Sequence, residues 1–383
     1  MIKINIVGDF YIKNLTNHHF CKSLVQKLTE SDLNVINLEG PINSDDGMPI
    51  QKSGPALYQD EKVPRFLEAN GFNMISMANN HIMDYGEKAL KATIQSFASS
   101  KTFGAGNFDD SYKIKICNLK GKRIGFLGIT QYEFGIHEDE AYSKSKLGTA
   151  WLCHPYVHEL IRNAHLCCDY LIVIAHAGCE YFDFPLPEIR TLYRHFVSIG
   201  ADAVIGGHPH VPQCWEIYHE KPIVYSLGNF CFDEYKKKTF WYKSIMACLT
   251  INNNDTISLT IETLSYDYNN KCVDILNDES FIAHLSNINS IFQDEEKYIS
   301  IVNRKCLQME QQYLNLFEYS GFYRPQFKKF IRLLLGIMKN KLMRRKRIYD
   351  ETHFINNLRC ETHRWILSRI YELKTKNSNS DVL

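Results

Sequence analysis

The chain has 383 residues, of which 45% are hydrophobic, and a formal net charge of +1. This length allows two or three domains, and the near-zero charge excludes a global field that would attract nucleic acid or an acidic partner. The 12 cysteines include no C-x-x-C pair, which suits a reducing compartment better than a disulfide scaffold.

Short apolar runs recur along the first 230 residues, and each is followed by a polar, Gly-rich or His-rich loop. They predict strands over residues 2–7, 34–38, 72–77, 123–129, 170–175, 201–205 and 223–227. Helices are predicted between them over 64–71, 87–100 and 187–200. The first and last of these begin with Pro and end at Gly, the usual asymmetry of helix boundaries. Strands that alternate with helices predict an α/β fold.

The last strands of this region are longer. Residues 245–252 and 256–268 alternate like an antiparallel pair joined by a polar turn. We therefore predict a main domain over 1–275, a helical C-terminal extension over 280–374 and a disordered polar tail over 375–383.

The loops after the predicted strands share an unusual composition of carboxylates, amides and histidines. Ligands of open α/β sheets bind outside the carboxyl ends of the strands. Any one such residue has an ordinary interpretation as a turn, a helix cap or a hydrogen-bonded core residue. Their recurrence after successive strands favours one shared site. The residues are Asp9, Glu39, Asn80, His81, His176, His208, His210 and Asn229.

Imidazole and carboxylate ligands together suit Zn, Mn or Fe, and the missing thiolates argue against a structural zinc site. Two metal ions about 3.5–4 Å apart need a shared anionic ligand, for which Glu39 is the natural candidate. Two divalent ions against two carboxylates leave a positive pocket. Such a pocket favours an anionic substrate and lowers the pKa of a bridging water.

Six segments appear in a specific order: NLEGPI at 37–42, ANNHIMDYG at 78–86, GAG at 104–106, HAGCEY at 176–181, HPHV at 208–211 and YSLGNF at 225–230. In order and spacing, over roughly residues 4–235, they resemble the CapA-type poly-γ-glutamate capsule synthesis family. This family is a branch of the calcineurin-like metallophosphoesterases. The resemblance implies an α/β four-layer sandwich, in which two β-sheets are flanked by helices.

The resemblance also implies roles for single residues. It gives one metal the ligands Asp9, Glu39 and His210, and the other Glu39, Asn80, His176 and His208. His81, beside Asn80, is implied to protonate the leaving group. Tyr11 departs from the pattern, because many phosphoesterases have a histidine there. One or two divalent ions are therefore expected.

Two interpretations stay open for each of several other residues and segments. Glu180 and Asn229 either orient histidines or have structural roles. Lys52 either reaches an anionic substrate or is a solvated lysine. The basic, amphipathic segment 327–347 is either a helix packed on the main domain, which we favour, or a membrane-surface helix. Nucleic-acid binding is disfavoured, because no aromatic and basic fold motif accompanies the segment.

We expect a metal-dependent hydrolase that cleaves a phosphate ester in capsule or cell-surface polymer metabolism. One alternative is a non-hydrolytic accessory protein that binds an anionic polymer, although a pure binder would not need His81. Another is metal-dependent hydrolysis of an amide such as a γ-glutamyl linkage. The N-terminus lacks the charged and apolar regions of a signal peptide, so we expect a cytoplasmic protein, with peripheral membrane contact through 327–347 as an alternative.

Overall fold

The computed structural model describes residues 1–42, 48–138, 146–318 and 351–380. The chain forms two compact units, one of Met1–Ile50 with Pro55–Ile299, the other of Gln51–Gly54 with Ser300–Leu383. The predicted division at 275 and 280 stays a prediction. The basic segment 327–347 lies outside the described residues.

The strands alternate with helices along the first unit, as the sequence predicts. In chain order they are β1 (Ile2–Tyr11), β2 (His19–Phe20), β3 (Leu33–Leu38), β4 (Met74–Ser76), β5 (Lys101–Phe103), β6 (Ala105–Gly106), β7 (Lys115–Leu119), β8 (Lys122–Thr130), β9 (Ile136–His137), β10 (Gly148–Ala150), β11 (Tyr170–His176), β12 (Ala203–Gly207), β13 (Trp215–Tyr218), β14 (Lys221–Val224), β15 (Asn229–Phe232), β16 (Lys243–Ile251), β17 (Ile257–Asp267) and β18 (Cys272–Ile275).

Two large sheets organise these strands. Among the described residues, the first has the order β2-β18-β17-β16-β1-β3-β4-β5, with β15 also paired to β1. The second has the order β13-β14-β12-β11-β8-β7, and β6-β10-β9 form a small third sheet. The expected α/β architecture of two sheets with helices, followed by C-terminal helices, is confirmed.

Each large sheet contains four neighbouring parallel strands. Strands β1, β3, β4 and β5 run parallel in the first sheet, and β8, β11, β12 and β14 in the second. Their carboxyl ends therefore lie along one edge of each sheet, where ligands of such sheets bind. The predicted antiparallel pair is confirmed as β16 and β17, which are in register from Lys243↔Ser265 to Ile251↔Ile257.

The helices bury one face each. In the described residues they are α1 (Lys22–Thr29), α2 (Val63–Ala69), α3 (Gly86–Ser96), α4 (Phe108–Ser111), α5 (Pro155–Asn163), α6 (Pro187–Ile199), α7 (Glu279–Gln293), α8 (Glu295–Glu318), α9 (Glu351–Arg359) and α10 (Glu361–Ser380), with a 3₁₀ turn at Ala164–Leu166.

Helix α6 shows how the sequence sets such an element. It starts with Pro187 in its first turn and ends at Gly200, whose φ of 135° favours glycine. Its buried residues Ile189, Tyr193 and Phe196 recur at helical spacing and form one apolar face.

The core of the first sheet contains a cluster of phenylalanines directly behind the candidate site. Phe230 contacts Phe20 and Phe72, with ring centroids 5.3 and 5.6 Å apart, and Phe10 lies 6.4 Å from Phe230. Phe10 follows Asp9 on β1 and is fully buried in this core, so it fixes the strand at the position next to Asp9.

A disulfide joins Cys21, before α1, to Cys272 in β18. The sequence analysis favoured reduced cysteines, and this pair departs from that expectation. No second disulfide is present among the described cysteines. The bond links two segments that are 251 residues apart in sequence.

The second unit is helical where it is described. Its buried residues include Cys306, Ile366 and Ile370. The rings of Tyr313 and His363 lie 5.4 Å apart, and Arg369 donates to Asn303 at 3.2 Å. Helix α10 continues to Ser380, within the tail expected to be disordered. Within the described ranges, no helix has the length and apolar character needed to cross a bilayer.

Candidate metal centre

The six predicted metal ligands are all buried and lie at or after the ends of strands from both large sheets. The first sheet carries three of them near the ends of β1, β3 and β4, and the second carries three at or after the ends of β11 and β12. They are Asp9, Glu39, Asn80, His176, His208 and His210.

Asp9 is held by groups from both sheets. The Nδ2 of Asn37 donates to its Oδ1 at 2.8 Å, and the backbone N–H of His208 donates to its Oδ2 at 3.2 Å. The Nδ1 atoms of His176 and His210 lie 3.6 Å from Oδ1 and Oδ2, respectively. Strand β1 changes register beside Asp9 against both β3 and β15, an irregularity that re-aims side chains next to functional sites.

Glu39 is fully buried, and neither of its carboxylate oxygens has a hydrogen-bond partner among the described residues. Buried carboxylates are normally paired or bound to metal, since burying a lone charge is costly. The Nε2 atoms of His210 and His81 lie 3.7 and 3.9 Å from its Oε1. This unpartnered carboxylate among imidazoles fits a site for a divalent cation.

Asp9, Glu39 and His210 form a first group, whose ligand atoms all lie within 4.8 Å of one another. Asn229 orients His210. Its Nδ2 donates to the Trp241 carbonyl at 3.2 Å, so its Oδ1 accepts from Nδ1 of His210 at 2.9 Å. The Nε2 lone pair of His210 then faces Glu39, as a metal-binding imidazole requires.

Tyr11 does not add a ligand to this group. Its ring packs on Phe232 with centroids 4.9 Å apart, in a buried cluster that includes Leu57 and Trp241. Burial, followed by the nearby charge of Glu234, raises the pKa of its hydroxyl. Among the described residues, the first group therefore offers three His, Asp or Glu ligands.

Asn80, His176 and His208 form a second group. The Oδ1 of Asn80 lies 3.0 Å from Nε2 of His176, and Nδ1 of His208 lies 3.2 Å from the same nitrogen. Three atoms with lone pairs thus converge on one region. Glu39 has no hydrogen bond or ion pair with this group in the described structure, and its role as the shared ligand stays a prediction.

His81 lies at the boundary of the site, with its ring oriented by Asp84. Its Nδ1 is 2.6 Å from Oδ2 of Asp84, which also accepts the backbone N–H of Leu57 at 2.7 Å. The carboxylate holds the proton on Nδ1, so Nε2 faces Glu39. The sequence signal that could have revealed this pairing is the position of Asp84, three residues after His81.

Burial dominates the electrostatics of the site. It raises the pKa of Asp9 to about 6, and burial together with the Asp9 charge raises the pKa of Glu39 well above its usual range. Burial and the neighbouring His208 lower the pKa of His176 and of His210 well below the usual value. The imidazoles of His176 and His210 are therefore neutral at pH 7, as metal ligands must be, and the carboxylates require a compensating cation to ionise fully.

The His-Pro-His loop has an unusual backbone. His208 and His210 have φ of 91° and 60°, a region that costs a non-glycine residue about 1 kcal/mol or more. The preceding Gly207 permits the close approach of Asp9, because a Cβ there would lie 3.0 Å from the Asp9 Oδ1. Strain at both histidines is consistent with a functional role of this loop.

Two further predicted residues stand apart from the ligands. Glu180 is exposed and contacts no histidine in the described structure. Its charge contributes, after burial, to a raised pKa of Tyr181. Lys52 belongs to the segment Gln51–Gly54 of the second unit, and its role in anion binding stays a prediction.

Sequence reasoning missed a pair of asparagines beneath the site. The Nδ2 of Asn79 donates to Oδ1 of Asn37 at 3.1 Å, which directs the Asn37 amide nitrogen to Asp9. Both lie inside motif segments, but asparagine is common in turns and caps, so its type alone does not reveal this role.

Sequence reasoning also missed Gln131 and Glu133, which follow β8. The Nε2 of Gln131 lies 2.9 Å from Nε2 of His208, and Oε2 of Glu133 accepts from Nδ2 of Asn80 at 3.3 Å. The available signal was positional: β8 is a parallel strand whose carboxyl end lies beside that of β11.

The profile of the family described as bacterial capsule synthesis protein PGA_cap matches residues 3–234. The chain belongs to this family. The family predicted from the motifs is thereby confirmed.

Individual relatives carry related descriptions. The chain is 30% identical to the capsule biosynthesis protein CapA of Bacillus anthracis over 282 residues, which cover 69% of this chain and 67% of that protein. It is 29% identical to the PGA biosynthesis protein CapA of Bacillus subtilis strain 168, over 61% of this chain and 64% of that protein. A 5'-nucleotidase from Candida albicans is similar in structure with a TM-score of 0.39 and 11% identity, over 70% of this chain and 52% of that one. The chain thus spans about two thirds of each capsule protein.

Proposed function

We propose that this capsule-family protein is a metal-dependent hydrolase that cleaves a phosphate ester of an anionic substrate in capsule or cell-surface polymer metabolism. The observation that carries the proposal is Glu39, a fully buried carboxylate whose oxygens have no described hydrogen-bond partner. With Asp9 and His210 within 4.8 Å, it supports a metal centre more readily than a structural role.

Each group of donors would hold one ion in this proposal. Asp9, Glu39 and His210 would hold the first, and Asn80, His176 and His208 the second. Mn, Fe and Zn suit these nitrogen and oxygen donors. Divalent ions bound there would supply Lewis-acid activation of water and of a phosphoryl oxygen.

His81 is the candidate general acid. Asp84 retains the proton on Nδ1, so His81 would act as a general acid in its doubly protonated form and give the leaving oxygen the proton on Nε2, which faces the site. A protein that only binds a polymer has no need of a proton donor. The His81–Asp84 pair therefore supports hydrolysis over simple binding.

The rim of the site carries a lysine that supports an anionic substrate. The Nζ of Lys236 lies 4.2 Å from the centroid of the Trp241 ring and 3.3 Å from the Tyr181 hydroxyl. Both rings neighbour the His210 ring, at 5.3 and 6.1 Å between centroids. Glu234, 3.2 Å from Lys236, offsets part of its charge.

The test is metal content and turnover of the purified full chain. Protein loaded with Mn, Fe or Zn should hydrolyse a generic phosphomonoester or phosphodiester. Asn80→Ala should lose about a hundredfold or more of this activity, because an amide ligand is removed. Asn118→Ala, the same change at an exposed position of β7, should retain it.

Absence of bound metal under every loading condition, with Asn80→Ala as active as wild type, would refute the proposal. Tight binding of a polyanion without turnover, unchanged in His81→Ala, would instead favour the accessory-protein alternative. Cleavage of a polyglutamate but not of phosphate esters would favour amide hydrolysis.

A further inference from the structure

Glu133 contacts both a carboxamide and an imidazole of the second group. Its Oε2 accepts from Nδ2 of Asn80 at 3.3 Å, and its Oε1 lies 3.8 Å from Nε2 of His208. The Nε2 of Gln131 donates to the same Oε1 at 2.8 Å. The Glu133 side chain is only 10% exposed, so these contacts are shielded from bulk water.

A carboxylate is a hydrogen-bond acceptor only, whereas a carboxamide has a donor end and an acceptor end. Glu133 therefore requires Asn80 to present its nitrogen outward. This leaves the Asn80 Oδ1 facing Nε2 of His176, at 3.0 Å. The reversed amide would place two acceptors in contact and turn the donor end toward a cation.

His208 lies in a different environment. Its Nδ1 faces Nε2 of His176 at 3.2 Å. The Gln131 oxygen accepts the backbone N–H of Gly178 at 3.0 Å, so the Gln131 nitrogen faces Nε2 of His208 as a donor, at 2.9 Å. Glu133 Oε1 lies 3.8 Å from Nε2, beyond hydrogen-bond distance, so the contact that Glu133 fixes is the one with Asn80.

We propose that Glu133 is the positioning carboxylate of the second metal group, which holds Asn80 in its metal-binding orientation. Side chains that bind a metal are commonly oriented by hydrogen-bonded groups outside the ligand set. Glu133 touches neither substrate nor reacting atoms in this role. The inference rests on the metal centre of the proposed function, and concerns only its second group.

The experiment is a metal titration of the full chain, with Mn²⁺ as the probe and calorimetry as the readout. Glu133→Gln should weaken one class of binding by about tenfold to a hundredfold, because a carboxamide can satisfy Asn80 in either orientation. Glu138→Gln, the same change at an exposed position directly after β9, should bind as wild type does. Asn229→Ala, which removes the partner of His210, should weaken the other class.

A double variant assigns the effect to the second group. If Glu133 acts through Asn80, Glu133→Gln should add little to the loss already caused by Asn80→Ala. It should add fully to the loss caused by Asn229→Ala. Thermal unfolding of each metal-free variant checks that the fold is retained.

Unchanged Mn²⁺ affinity in Glu133→Gln, while wild type binds the ion, would overturn this inference and leave the proposed function intact. Equal weakening of both binding classes, with a lower unfolding temperature, would mark a merely structural residue and also overturn it. Wild-type protein that binds no Mn²⁺, Fe²⁺ or Zn²⁺ would overturn both proposals.

Discussion

At the scale of single residues, the two buried carboxylates determine how the metal-free site responds to pH. The folded protein raises the pKa of Asp9 to about 6, above the usual value of 3.8. The folded state therefore holds a proton that the unfolded state has already released. The contribution of Asp9 to stability is present below about pH 4 and is lost as pH rises through about 6.

We predict that metal-free Asp9→Asn is more stable than metal-free wild type at about pH 7, by roughly 1–3 kcal/mol. The difference should shrink toward pH 4, where Asp9 is protonated. Urea unfolding in the presence of a chelator, at both pH values, measures this. Asp109→Asn at an exposed position is the control. A destabilisation of Asp9→Asn of equal size at both pH values would contradict the account.

A second prediction concerns the contact between His81 and Asp84. Asp84→Asn removes the charge that holds the proton on Nδ1 of His81, so kcat should fall by about tenfold to a hundredfold. Metal content and KM should change little, because the hydrogen bond removed is the one to His81, which is not a predicted metal ligand. If metal content falls in step with kcat, Asp84 supports the metal centre and not the proton donor.

Residues whose chemical type reports their role were predictable from the sequence. Histidines and carboxylates recur after successive strands, and Asp9, Glu39, His176 and His210 were predicted from that recurrence. Glu133 and Asn37 contact predicted ligands that lie on or after other strands. Such contacts depend on how β1 pairs with β3 and on how the loops after β4 and β8 meet, which no local pattern encodes.

At the scale of elements, the loop after β15 forms the rim beside the first metal group. We predict that Lys236→Met raises KM for an anionic substrate about fivefold without a change in kcat, the equivalent of about 1 kcal/mol for a partly solvated charge. Steady-state kinetics at two ionic strengths measure it. Lys237→Gln, an exposed neighbour, is the control. An equal KM effect in both variants would argue for a diffuse charge effect instead.

Several longer elements were predicted, whereas helices α1 and α5 and the two-residue strands were not. Strand β11 has a nearly continuous apolar run, and α6 has a Pro and a Gly at its ends. Strands β2, β6 and β9 have two residues each, too few for any periodicity. They form because longer neighbours place their backbones within hydrogen-bond reach.

At the scale of the whole molecule, the Cys21–Cys272 disulfide connects the early and late parts of the first unit. A bond that closes so long a loop restricts the unfolded chain, and typically adds about 2–4 kcal/mol to stability. We predict that Cys272→Ser lowers the unfolding temperature under non-reducing conditions, and that a reductant brings wild type to the same value. Cys167→Ser, at an exposed position, should have no effect. Insensitivity of wild type to the reductant would count against this role.

The family could be predicted from the sequence, because the segments that the family shares are spread over a match that covers residues 3–234. For the second unit, only its helical character could be predicted from the sequence. Its helices pack through scattered contacts, such as Tyr313 on His363, that periodicity does not specify. The membrane contact of 327–347 and the cytoplasmic location stay predictions.

The division of the donors between the sheets has a mechanical consequence. Asp9 and Glu39 come from the sheet that contains β1 and β3, whereas His176 and His208 come from the sheet that contains β11 and β12. Ions bound among them would connect the two sheets across the interior. Occupancy would then slow the opening of both sheets together, so amide protons far from the site in either sheet should exchange more slowly in the loaded protein.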